Sequence, residues 1–242
     1  MTESEKQIRQ ILGERVAILD GAMGTMIQSR KLDEEAFRGA RFQSHSRDLK
    51  GCNDVLCITQ PELITDIHLR YLEAGADIIE TNTFNSTAIS MADYALEPFA
   101  YELNFTGARA AKKAVALALE RDPSRPRFVA GAVGPTNRTC SISTDVQSAA
   151  TRGVTYDELV DAYYEQARGL LDGGVDLLLI ETIFDTLNAK AAFFAIAKLF
   201  DETNRHVPLM ASVTFIQPGS NRGVTGQTVE AFWNSISHVP LL

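Results

Sequence analysis

The sequence predicts an α/β fold in which a parallel sheet is covered by helices, and three observations carry that expectation. Short apolar strands alternate with amphipathic helices. The strands show little strict polar alternation, as strands buried on both faces do. One helix–strand unit occurs twice, reading capped helix, glycine stop, hydrophobic residue, Asp, apolar strand and Glu-Thr: GADIIET at 75–81 and GVDLLLIET at 174–182. Five strand candidates suit either a doubly wound sheet or part of a larger barrel, and periodicity leaves both open.

The elements follow in order. Glu3 to Glu14 predicts a short amphipathic helix with Ile8, Ile11 and Leu12 on one side, a lid for the bottom of the sheet, and Val16 to Leu19 predicts the first strand. Asp20, Gly21 and Gly24 form a glycine turn at its end, with the glycines expected to supply positive φ, before a helix from Met23 to Lys31. The stretch from Leu32 to Gly51 is polar and without strong periodicity, and loops that long are uncommon unless they serve a function. Thr59 and Glu62 have capping-box spacing before a helix that Gly75 stops. Asp77 to Glu80 is the second strand, followed by helices at Ala88 to Tyr94 and Tyr101 to Arg121, and Arg127 to Val133 is the third. Thr155 and Glu158 repeat the capping box, Gly173 and Gly174 the stop, and Asp176 to Ile180 the strand. Asp185 is placed to cap a helix from Leu187 to Phe200. Pro208 to Phe215 is the fifth strand, a loop with Pro218, Gly219, Gly223 and Gly226 leads to a helix from Thr228 to Ser237, and VPLL reads as the opening of a sixth strand.

With 242 residues, 45% of them hydrophobic, the length fits one large barrel or two small domains. A formal net charge of −8 argues against a nucleic-acid or anionic-membrane partner, because phosphate binding draws on a basic face. The start lacks a signal peptide's basic flank and apolar core. The richest apolar helix, Ala189 to Phe200, is too short to span a bilayer and carries Lys190 and Lys198. Cys52, Cys57 and Cys140 make no even disulfide framework, which suits a reducing cytoplasm. Their spacing matches no zinc knuckle, and four histidines lie without metal spacing, so no residue here is assigned as a metal ligand.

In parallel α/β sheets ligands bind beyond the carboxyl ends of the strands. Those ends carry Asp20, Glu80, Asn82, Thr136, Asn137, Glu181 and Thr182. Two acids, Asp20 and Glu181, together with glycine-supplied N–H groups, suit a zwitterionic amino acid: acid to ammonium, amides to carboxylate. No nucleophile and base pair is evident, so no catalytic residue is assigned.

The motifs ILDGAMGTMIQ, FRGARF, GADIIETNTFNST, VAGAVGPTNRT and LLLIETIFDTLNAKAA, with GQT before the last helix, resemble the amino-terminal homocysteine-binding module of cobalamin-dependent methionine synthase over nearly the whole chain. The resemblance implies a (β/α)8 TIM barrel of which residues 1–242 supply about the first five βα units, cut before strand six. It places Asp20, Gly21 and Ala22 around the homocysteine amino and carboxylate groups and gives the ammonium to Glu181, with Asn82 and Thr136 as further substrate-binding candidates. It also implies zinc, held by cysteines of an Asn-Cys and a Gly-Gly-Cys-Cys strand end that this sequence lacks and that are expected beyond Leu242. Methylcobalamin on another module would donate the methyl group, a methyltetrahydrofolate module would reload it, and the isolated chain would be inactive. Two rival readings stand beside it: a stand-alone homocysteine S-methyltransferase using betaine or S-methylmethionine, and a non-catalytic amino-acid-binding α/β domain.

Overall fold

A computed structural model describes residues 2–242 except 144, 146, 149 and 216–218, so the predicted loop residue Pro218 lies outside the described residues. Among the described residues there are ten α-helices: α1 (Glu3–Glu14), α2 (Met23–Gln28), α3 (Glu34–Arg38), α4 (Leu56–Thr59), α5 (Pro61–Ala74), α6 (Ala88–Met91), α7 (Ala100–Arg121), α8 (Tyr156–Gly173), α9 (Thr186–Thr203) and α10 (Val229–Ile236). Four strands, β1 (Ile78–Glu80), β2 (Phe128–Val133), β3 (Leu177–Ile183) and β4 (Leu209–Val213), pair in parallel in the order β1-β2-β3-β4. Each strand lies beside its predecessor, so the order never reverses among the described residues. A doubly wound sheet needs such a reversal. The observed order is an arc of the progressive kind that barrels use.

The first predicted strand is reduced to a bridge. Leu19 pairs in parallel with Ile78, and the Asp20 N–H donates to the Ile78 carbonyl at 3.0 Å, but Val16 and Ile18 are 79% and 50% exposed. At the other edge, 239–242 turns rather than extends, yet the Leu209 N–H donates to the Leu241 carbonyl at 2.8 Å. Both margins of the arc thus carry a single line of pairing beyond the regular strands.

The sheet has two apolar faces, as expected of strands covered on both sides. Ile79, Val129, Val133, Leu178 and Ile180 pack with α7, α8 and α9. Ile78, Phe128, Ala130, Leu177 and Leu179 face the concave side, where Ile8 and Ile11 of α1 close the bottom; Leu12, expected on that face, is 60% exposed. The long polar stretch after α2 is no open loop, since Phe37, Phe42 and Leu49 are buried with Val55, Leu56 and Ile64 in a separate cluster.

The repeated unit has a structural meaning. Asp77 accepts from the Ile18 N–H and Asp176 from the Val129 N–H, each at 2.9 Å, so each aspartate pins the start of its strand to the strand before it. Asp77 is fully buried and ringed by guanidinium groups, with Arg15 at 2.7 Å, Arg125 at 3.0 Å and Arg127 at 3.7 Å, and bonds from Arg15, the Ile18 N–H and Arg125 hold its carboxyl well below the usual range. The helices before both units end at left-handed glycines, Gly75 (φ 113°) and Gly174 (φ 95°). The Thr155–Glu158 capping box forms as expected, whereas the Thr59–Glu62 one does not. The Thr59 hydroxyl is spent on the Val55 carbonyl at 3.3 Å, and Gln60 becomes the N-cap. Asp185 caps α9 through the N–H groups of Leu187 and Asn188.

Candidate functional site

A cavity of about 260 Å³ opens at the carboxyl ends of the strands. Side chains alternate along a strand, so Glu80 shares the concave face of Ile78, and Glu181 that of Leu177 and Leu179. Between them β2 presents only Ala130 and Ala132 at its carboxyl end, leaving room above its methyl groups. Asp20 joins from the turn after Leu19, its carboxylate accepting from the Glu80 N–H at 2.9 Å. Asp20, Glu80 and Glu181 all line the cavity, and among the described residues no Lys, Arg or His lines it with them.

These acids are costly to ionise together. Burial pushes Asp20 up to about 7, opposed by the Glu80 N–H and reinforced by the Glu80 carboxylate. Burial also pushes Glu181 up to about 8, with Glu80 and Asp20 adding repulsion, and it raises Glu80. A positive charge beside these carboxyls would favour their ionised forms.

Two backbone irregularities aim these groups. Ala22, not either glycine of the turn, takes the left-handed conformation (φ 41°), while Gly21 and Gly24 do not have positive φ. Thr182 is also left-handed (φ 56°) inside β3, where the register with β4 shifts between Ile180 and Ile183. Positive φ at a β-branched residue is uncommon and is held by its surroundings. Here the Thr182 N–H donates to the Ser212 hydroxyl at 3.1 Å, and the Thr214 N–H to the Ile183 carbonyl at 3.0 Å. Strand β3 therefore runs past Glu181, which sits within it rather than after its end.

Of the predicted residues, Asp20, Gly21, Ala22, Asn82 and Glu181 line the cavity together. Asn82 is anchored through its amide nitrogen to the Asn53 carbonyl at 2.8 Å. Thr136 is not among the lining residues. It is buried in the loop after β2, its hydroxyl donating to the Arg138 carbonyl at 2.6 Å and accepting from Asn188 at 3.2 Å. Asn137 reaches Asp93 instead. The cavity adds residues that were not singled out, notably Asn53, Asp54, Phe84 and Asn85. Asn53 and Asp54 come from the 3-10 turn just after the long aperiodic stretch, where no local pattern marks them.

The described residues do not fit a zinc ion. Among them no group of three or more His, Cys, Asp or Glu is arranged to hold a metal. Cys52, Cys57 and Cys140 are buried and free, and burial pushes the Cys52 thiol up to about 12 and the other two upward. Cys57 contacts the Asn82 carbonyl at 3.2 Å and Cys140 the Val154 carbonyl at 3.5 Å, as packed thiols do. Among the described helices none is long and apolar enough to cross a membrane.

A parallel sheet covered by helices, with an acid-lined cavity at the carboxyl ends of its strands, defines the class of the molecule as an α/β protein whose candidate site lies beyond its strand ends. The chain belongs to the homocysteine S-methyltransferase family, whose profile matches residues 17–242. It is similar in fold to the homocysteine methyltransferase MmuM from Escherichia coli. Against the metallated form the TM-score is 0.72 at 23% identity, covering 97% of this chain and 75% of that one. Against the apo form the TM-score is 0.66 at 22% identity, covering 97% and 73%.

Proposed function

We propose that this chain binds L-homocysteine as methyl acceptor, its ammonium held among Asp20, Glu80 and Glu181 and its carboxylate by the backbone N–H groups of Gly21 and Ala22. The observation that carries this reading is the convergence of Asp20, Glu80 and Glu181, all raised by burial and the first and last also by repulsion, on one cavity that Asp54 lines as well and that has no cationic side chain among the described residues. Ammonium binding relieves both penalties at once. Phe84 supplies an apolar wall for the substrate's methylene chain, with Asn82 and Asn85 beside it.

The motif resemblance favours methylcobalamin, reloaded from methyltetrahydrofolate on other modules, as donor, and a barrel completed by βα units beyond those described here. A stand-alone enzyme taking its methyl group from S-methylmethionine or betaine is at least as well supported by the family match and by the likeness to MmuM along 97% of the chain. In either case the described residues orient the amino acid and do not themselves activate its thiol, so the chain alone is expected to bind without turning over.

Calorimetry with L-homocysteine, L-methionine and the desamino analogue 4-mercaptobutyrate tests the reading. Binding of the first two and not the third supports it. Equal binding of all three, or none, sinks it.

A further inference from the structure

We propose that Asp54 is a positioning residue for this site: its buried carboxylate fixes the cavity wall that meets the substrate's side chain. The inference rests on the amino-acid reading above for its ligand, but its structural part stands on geometry alone.

Asp54 lies in a short 3-10 turn, Asn53–Val55, far in sequence from β1, and is 3% exposed. One carboxylate oxygen accepts from the Asn85 N–H and from the Ser86 hydroxyl, each at 2.8 Å. Its neighbour Asn53 offers its carbonyl to Asn82 at 2.8 Å. Two consecutive residues thus grip both ends of segment 82–86, which carries the lining residues Asn82, Phe84 and Asn85.

The opposite side of the segment is equally committed. The Thr83 hydroxyl donates to the Ala132 carbonyl at 2.9 Å, the Gln166 amide to the Thr83 carbonyl at 2.9 Å, and the Gly134 N–H to the Phe84 carbonyl at 3.1 Å. Those contacts tie the wall to the end of β2 and to α8, and Asp54 ties it to the 3-10 turn 53–55 across the mouth. A buried carboxylate is expensive to keep unless its bonds do something an apolar residue cannot. Here they join two loops that no secondary structure connects. The other three lining acids recognise the ammonium, and Asp54, its carboxylate turned to segment 85–86, acts on shape.

The experiment compares wild type, Asp54→Asn and Asp54→Ala by hydrogen–deuterium exchange across 82–86 without ligand and by L-homocysteine calorimetry from pH 6 to 8. Asn retains an acceptor for both donors, so exchange and affinity should match wild type. Ala should speed exchange at the Asn85 amide and weaken affinity at least about tenfold, while the pH dependence, set by Asp20 and Glu181, keeps its midpoint. Unchanged exchange and affinity in Asp54→Ala would overturn the proposal, as would an Asn variant as impaired as Ala, which would assign the effect to charge. Should Asp54→Ala fail to fold, Ser86→Ala removes one of the two donors, and the same pair of readouts must move in the same direction by less. If wild type itself does not bind L-homocysteine, the functional reading fails, and the exchange arm still decides the role of Asp54.

Discussion

The Glu80 N–H donates to the Asp20 carboxylate across 2.9 Å, so the backbone of one acid partly supports the charge of another. That bond joins the first turn of the chain to the end of β1 and makes the two acids one unit, with Glu181 facing them from β3.

Stability should fall as pH rises through this unit. Glu181 moves from an ordinary 4.5 to about 8 in the folded state. Below its unfolded value both states are protonated and there is no penalty. Between that value and about 8 the folded state holds a proton that the unfolded state has lost, so unfolding becomes easier as pH rises and levels off above. Glu181→Gln removes the penalty and should raise stability at pH 8.5 by about 1–3 kcal/mol, with little change near pH 4.5. Thermal melts at the two pH values check the sign; equal shifts at both would show that ionisation is not the cause.

Ligand binding should release a proton. Near pH 6.5 Asp20 and Glu181 are largely protonated in the empty site, and an ammonium favours their charged forms. Affinity for L-homocysteine should therefore rise between pH 6 and 8. Calorimetry in two buffers of different ionisation enthalpy should show protons leaving at pH 6.5 and fewer at pH 8.5. Proton uptake would contradict the assignment.

Asp77 predicts the opposite slope. Its carboxyl is depressed by Arg15 and by Arg125, so its contribution is present above the unfolded carboxylate value and lost as pH falls toward its low folded value. Asp77→Ala leaves three guanidinium groups around an empty centre and should cost about 3–5 kcal/mol in urea unfolding at pH 7. The difference from wild type should narrow in strong acid.

Gly134→Ala tests the wall by steric means. A Cβ there would lie 2.4 Å from the Phe84 carbonyl oxygen, and backbone cannot yield as a flexible side-chain end does. We expect a loss of about 1–3 kcal/mol and weaker homocysteine binding. Wild-type stability would show that segment 82–86 moves freely.

Much of this was legible from local pattern. The paired GADIIET and GVDLLLIET units announced two strands ending in acids, and in the structure both glutamates line one cavity while both aspartates pin a preceding strand. What stayed hidden depended on tertiary context. Val16 to Leu19 reads as a strand by composition, but only Leu19 meets β1 in register, which leaves a bridge. Thr136 sits where a ligand residue would, yet Arg138 and Asn188 take up its hydroxyl. Asp54 lacked any periodic neighbourhood, and only the fold brings it to segment 82–86. The left-handed residues Ala22 and Thr182 could not be read at all, since neither type favours that conformation.

The strand order has a consequence for how the chain acquires its shape. Each crossover delivers a strand to the flank of the one just made, so the regular strands pair only with their neighbours in the chain. Loop closure then proceeds strand by strand, and no closure waits for a strand further along the chain. During synthesis every strand emerging from the ribosome finds its template already laid down, and the sheet can grow by accretion from the amino-terminal end.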